Sequence, residues 1–437
     1  MLAGKGGNPV HSVLRVWTAV LLAVTAATLA ALPVSAQATP SGQSAYAHVQ
    51  HLAGSIGPRV AGTTASQAAA EYAAAQLRQY GYQVEFHGFR FPYYEERRVE
   101  LLQTSPSQRL IAAKAMFYSA STPPGGAEAE AVFVGLGRPQ DFEGRRVRGA
   151  IAVTEAGEIH PSEKVANAAG AGAVGAVVFD NQPEGIVART LGRRSTIPAV
   201  GISQEDGRRL VAAMREGSLK LRLHVDGLFE DRSSVNVAAT RQGTSRPGEV
   251  IIVGAHYDSV RGSPGANDNA SGVAVVLEVA RLLATTPVHR TVQYVLFGAE
   301  EFGLFGSSAY SNERRRGVVA MVNLDMVGWG ERLMVGNSPG RDDTAVAIAL
   351  RVAADLGMPV TRFRSSASDH AMFERFGIPA LFLHRGTDPH VHRPTDVASV
   401  VDPQNLEEAA RLVVGLLQHP AFPTAAVDRR LMGVAPP

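Results

Sequence analysis

Not one cysteine occurs among the 437 residues, and that absence narrows the chemistry at once. No disulfide can form, no thiolate can attack a substrate, and any metal must be held by His, Asp and Glu. There is no GxxxxGK[ST] phosphate loop, and "GLGRPQ" at Gly135–Gln140 lacks the last glycine of a dinucleotide fingerprint. Long clusters of Lys and Arg are missing too. The chain's net charge of +2 traces to Lys5 and Arg15: without Met1–Ala36, two of 42 basic residues go, leaving 40 against 40 acidic ones. A balanced chain without a basic patch gives no nucleic-acid signal.

What is present begins with an export pattern. Lys5 and Arg15 precede an apolar run from Val16 to Leu32, and "PVSAQA" follows with a small-x-small site at Val34-Ser35-Ala36. Together these read as a signal peptide over residues 1–36, cleaved after Ala36. The run sits at the lower limit for a membrane span, which disfavours an uncleaved anchor. The mature chain is therefore expected to be secreted or extracytoplasmic, with no stable membrane association. Its 45% hydrophobic and 19% charged residues are ordinary for a globular protein, long enough for two or three domains.

Three segments differ in texture. Residues 37–112 hold an Ala-rich helix over about 65–80, stopped by Gly81, and then the alternating "YQVEFHGF". Residues 113–227 are Gly/Ala-rich with short β-like runs such as "GAIAV" and "GAVVFDN", a small unit without clustered chemistry. From 228 to 437, apolar strands ("EVIIVGAH", "TVQYVLFG", "GVVAMVNL", "IPALFLH") alternate with amphipathic helices. That pattern predicts an α/β fold with a mostly parallel central sheet flanked by helices, whose ligands bind beyond the carboxyl ends of the strands.

Polar residues stand at those ends. The first strand stops in "GAHYD" (His256, Asp258), the second in "GAEE" (Glu300, Glu301), the third in "NLDM" (Asp325). Asp268 lies in the loop before a helix, and Asp369, His370, His390, His392 and Asp396 lie near the end of the chain. Singly, each has a plain structural use; Asp268, for example, could cap the helix that follows. Gathered at one sheet edge, so many carboxylates need a cation to neutralise them. Five candidate ligands (His256, Asp268, Glu301, Asp325, His392) exceed the need of one tetrahedral zinc and suit two metals sharing a carboxylate. Asp258, two residues beyond His256 on the same strand face, is placed to orient that imidazole. Adjacent glutamates point in different directions, so one of Glu300 and Glu301 can bind metal while the other serves as general base for a water. The spacing does not settle which.

The ordered set "GAHYDS…GANDNASG…FGAEEFGLFGS…NLDMVG…SDHAMF…HVHRPTD" resembles the M28 family of zinc aminopeptidases over about Ser233–His419, and the middle segment resembles an inserted protease-associated (PA) domain. The resemblance implies a zinc-dependent exopeptidase fold and two Zn2+ ions per chain bridged by Asp268. It implies His256 and Asp325 at one ion, Glu301 and His392 at the other, Glu300 as general base, and Asp258 orienting His256. Peptide or protein N-termini are the implied substrates. Two positions depart from the family pattern: Val391 stands where many relatives place a tyrosine beside the last histidine ligand, and Arg393 where a threonine is usual. His390 is a candidate replacement for the missing donor. A carboxypeptidase or dipeptidase, a glutaminyl cyclase, and a silent receptor-like protein are the alternatives on this scaffold. The cyclase and receptor readings are disfavoured because no ligand is missing.

Overall fold

The computed structural model describes residues 39–183, 185–186 and 189–423, so the expected signal peptide lies outside the described residues. Eight strands organise the larger part of the chain: β1 (Val84–Ser105), β2 (Lys220–Arg241), β3 (Arg246–His256), β4 (Arg290–Phe297), β5 (Val318–Leu324), β6 (Leu333–Asn337), β7 (Val360–Arg364) and β8 (Ala380–His384). In space they run β7-β6-β8-β5-β3-β4-β2-β1. The four apolar runs read from the sequence are the mutually parallel centre, β8-β5-β3-β4, with inward and outward positions alike buried. Antiparallel pairs β6–β8, β4–β2 and β2–β1 extend this centre on both sides. The sheet is thus mixed, its parallel strands confined to the middle and to the β6–β7 pair.

Helices cover this sheet. Helix α1 (Thr64–Gln79) is capped by the Thr63 side chain, which accepts from the Ser66 amide, and ends before Gly81. Helix α2 (Ser271–Leu283) is buried over nearly its whole surface, and Val273, Val276 and Leu277 join α1, α3 (Pro403–Gln418) and the sheet in one apolar core. An all-round apolar helix is stable only when packed from every side.

β1 and β2 span 22 residues each and pair from Val84↔Ala239 to Ser105↔Lys220. Such strands outrun the central sheet. At their far end β2 pairs with Ala127–Phe133, which continues through parallel strands Ile151–Glu155, Gly175–Phe179 and Ala199–Ile202. A separate apolar core lies there, including Val153, Val177, Val200 and Leu210.

Candidate metal centre

Parallel register sets the site. His256 at the end of β3 pairs with Phe297 at the end of β4, and Leu324 of β5 pairs with Leu383 of β8, so chain exits from four strands share one edge. His256 Nε2 lies 3.3 Å from Asp268 Oδ1 and 3.4 Å from Asp325 Oδ1. On the other side of the same carboxylate, His392 Nε2 lies 3.1 Å from Asp268 Oδ2 and 3.2 Å from Glu301 Oε2. Asp268 therefore presents one oxygen to each imidazole. The triads His256/Asp268/Asp325 and Asp268/Glu301/His392 each bring their donor atoms within 4.8 Å of one another, as do His256, Glu300 and Glu301.

Hydrogen-bond accounting favours a cation in each triad. His256 Nδ1 donates to the Asp258 carbonyl at 3.2 Å, which leaves the Nε2 lone pair facing carboxylate oxygens. Acceptor against acceptor is unfavourable unless a proton or metal sits between them. Asp325 Oδ1 and Glu301 Oε1 are buried without a hydrogen-bond partner, so they too are free to bind a cation. Metal-free, the cluster balances itself through protons. Burial, with the Glu301, Asp369 and Asp325 charges behind it, holds the Glu300 carboxyl well above its usual range. Burial and Asp268 raise Glu301 to about 7, whereas the Glu301 charge raises His392.

Asp258 is fully buried, and its carboxylate serves a different group from the one expected. Oδ1 accepts from the Glu300 amide at 3.1 Å and Oδ2 from the Glu301 amide at 3.3 Å, while His256 Nδ1 stands 3.7 Å from Oδ1. The imidazole is served more closely by the Asp258 carbonyl. Asp268 is held from behind by Asp396, which accepts from the amides of Asn267 and Asp268 at 2.8 and 3.1 Å. Asp388 joins the two halves of the site: it accepts from Asn267 Nδ2 and from the His390 amide, both at 2.7 Å. Asp325 is fixed through Oδ2 by Ser368 Oγ at 2.7 Å.

Strained backbone collects here. Six described non-glycine residues have positive φ, and four of them flank the centre: Ala299 (57°), Leu304 (61°), Met326 (57°) and His392 (60°). Each costs roughly 1–3 kcal/mol and persists only where surroundings enforce it. The turn carrying Glu300 and Glu301 is tight enough that a Cβ on Gly306 would lie 2.2 Å from the Gly298 carbonyl oxygen.

The acids and the two imidazoles themselves form one side of a cavity of about 490 Å3, and Met326, Met334, Phe363, Phe382, His384 and Val391 line the rest of it. Val391 lines the same cavity as these acids. His390 turns aside, bonding Thr395 Oγ1 through Nδ1 at 3.1 Å and meeting the Trp329 ring edge-on. His370 bonds the Ser365 carbonyl, and Asp369 is buried with neither oxygen paired. Two contributors were not read from the sequence. His384, whose Nδ1 donates to the Asp325 carbonyl at 2.8 Å, ends β8 as His256 ends β3, and that parallel was the available signal. Arg59, fully buried in "GPRVAGT", bonds the carbonyls of Leu52, Gly57, Tyr257, Pro264 and Gly265 and brings a positive charge behind the acids. A G-x-S-x-G spacing does occur at Gly336–Gly340, but Ser338 Oγ there has no hydrogen-bond partner and hence no imidazole to activate it.

Residues 236–417 match the model of Peptidase family M28, and residues 118–210 match that of the PA domain. Aminopeptidase YwaD of Bacillus subtilis is 33% identical over 389 residues, which are 84% of this chain and 82% of that protein. The solved aminopeptidase from Aneurinibacillus sp. strain AM-1 aligns at a TM-score of 0.79 and 31% identity, covering 86% of this chain and 93% of its own. BSAP, a zinc aminopeptidase from Bacillus subtilis, gives 0.72 and 30%, covering 86% and 94%. Fold, site and relatives together define a hydrolase of the exopeptidase class. The chain belongs to peptidase family M28 and carries a PA domain.

Proposed function

We propose that the mature protein is an extracytoplasmic two-zinc aminopeptidase that removes N-terminal residues from peptides. The observation that carries this reading is Asp268, whose two oxygens face two imidazoles within two separate acidic triads. Residues 37–112 and 228–437 form its peptidase domain, 113–227 its PA domain, and 1–36 a cleaved leader. His256, Asp325 and Asp268 would hold one zinc, and His392, Glu301 and Asp268 the other. A donor set of imidazole and carboxylate without thiolate fits zinc, and the zinc-aminopeptidase neighbour supports that choice. When bound, zinc supplies polarisation of the scissile carbonyl and acidification of water toward a pKa of ~7.

The chain's own residues do the rest. Glu300, half-buried and free of any role in either triad that shares Asp268, takes a proton from the attacking water and returns it to the departing amine. Desolvation at this site raises its proton affinity above that of an exposed glutamate, the direction a general base needs. Asp258 fixes the direction of both glutamates by gripping their amides. The apolar side of the cavity, at Met326, Met334, Phe363, Phe382 and Val391, receives the N-terminal side chain, with room for one of leucine or phenylalanine size. Among the described residues no helix is long and apolar enough to cross a membrane; the leader pattern supports export.

The test is a pair of chromogenic leucyl amides, one with its amine free and one acetylated. Cleavage of the free-amine compound alone, lost with a chelator and restored by zinc, is the expected result. Cleavage of neither, with two zinc ions bound, would turn the reading to carboxypeptidase or dipeptide substrates.

A further inference from the structure

The loop that carries Glu300 and Glu301 is gripped from outside the peptidase sheet. Phe302, the next residue, buries its ring against Phe91, Tyr93 and Phe117, with centroids 5.2, 5.1 and 5.4 Å away. Its carbonyl accepts from the hydroxyl of Tyr118 at 2.8 Å, and the same hydroxyl lies 2.9 Å from the Pro92 carbonyl. Tyr118 is 1% exposed and is itself held at φ 73°. Five of the six non-glycine residues with positive φ are thus at the site or one hydrogen bond from its loop.

Tyr118 is also the first residue of the PA-domain match. Its backbone is sewn into that domain: the Phe117 amide donates to the Arg189 carbonyl, Leu191 to Phe117, and Ser195 to Tyr118, at 3.1, 2.9 and 3.0 Å. Ser195 Oγ accepts from the Ala120 amide at 2.8 Å. The segment around Ser195 in turn lines a cavity of about 720 Å3 with Glu163, Val165, Arg193 and Arg194. Strain at one end and a domain strand at the other make the hydroxyl a fixed post for the catalytic loop.

We propose that Tyr118 is a positioning residue: through its hydroxyl on the Phe302 carbonyl, the PA domain sets the placement of Glu300 and Glu301. This rests on the aminopeptidase reading for its kinetic consequence and on the Tyr118–Phe302 hydrogen bond alone for its structural one. The neighbouring Tyr94 provides the matched control. Its ring lies 5.9 Å from that of Tyr118, it is buried as deeply, and its hydroxyl has no hydrogen-bond partner.

The experiment compares Tyr118→Phe with Tyr94→Phe in the full mature chain, by two readouts. The first is amide hydrogen exchange of peptides covering 298–305, which needs neither metal nor substrate. Tyr118→Phe should raise it about tenfold while leaving β4 protected, and Tyr94→Phe should leave both unchanged. The second is turnover of a leucyl amide. Tyr118→Phe should lower kcat roughly tenfold with KM nearly constant, because misplaced catalytic groups act on the transition state. Equal exchange in the two variants overturns the proposal, whatever the protein's substrate. Raised exchange with unchanged kcat in an active enzyme overturns the catalytic half. A wild type inactive on every aminoacyl amide, but showing the exchange difference, would discard the aminopeptidase reading and leave the loop support standing.

Discussion

Asp258 holds Glu300 by the backbone: its Oδ1 accepts the Glu300 amide at 3.1 Å, and its other oxygen takes the amide of Glu301. One buried carboxylate therefore aims two adjacent acidic side chains that must diverge. Asp258→Asn keeps the shape but offers only one acceptor, so one amide is left facing an NH2 group. We expect kcat to fall 10–100-fold and zinc to be released faster to a chelator, the usual scale for removing a ligand's support. Unaltered kcat and zinc retention would show that the amides need no anion.

The proposed division of labour between the glutamates makes a sharper prediction. Glu300→Gln should retain two zinc ions per chain and lose ~10²–10⁴ in turnover, the range for a missing general base. Metal analysis alongside steady-state kinetics decides it, and a variant that turns over normally rejects Glu300 as the base.

Much of this arrangement was legible because strand ends advertise themselves. His256, Glu300 and Asp325 each follow an apolar β-run, and parallel strands bring such ends together. Asp268 and His392 come from loops, and only the chemical need for a cation tied them to the rest. The role of Asp258 was legible only in outline, since spacing shows that it shares a face with His256 but not that its oxygens turn to the amides beyond β4. Arg59 was illegible for a different reason: its partners are main-chain carbonyls, which leave no mark on side-chain pattern. The short strands β6 and β7 fall below the length at which alternation is readable, and residues 360–364 are largely exposed. The β1–β2 ribbon was hidden because one continuous strand serves two sheets with different burial.

Sharing of Asp268 predicts an asymmetry among ligand variants. His392→Ala removes a donor from one triad, so one zinc per chain should survive extensive dialysis. Asp268→Ala removes a donor from both and also the charge between two imidazoles, so it should retain neither. Counting zinc by atomic emission in both variants checks the bridge, and one zinc retained in Asp268→Ala contradicts it.

Away from the centre, a buried histidine sets part of the acid sensitivity. His48 bonds Tyr72 Oη through Nδ1 at 2.7 Å and Tyr80 Oη through Nε2 at 3.2 Å, with the ring 7% exposed. Burial depresses its pKa from 6.5 to about 4; the Glu278 charge opposes this, and His51 and Arg281 reinforce it. In the folded chain it is therefore neutral through mild acid, while the unfolded chain takes up a proton below 6.5. Its contribution is whole above pH 6.5 and declines as pH falls toward 4, by about 3 kcal/mol at the limit and about 2 kcal/mol by pH 5. Other acids titrate in the same window, so the comparison must be with His48→Gln, which lacks only this group. The stability gap between wild type and variant, from urea unfolding, should narrow by about 2 kcal/mol between pH 7 and pH 5. A gap that stays constant would mean that the imidazole titrates in the folded chain as it does in the unfolded one, and a gap that widens toward pH 5 would mean that it is already protonated in the folded state.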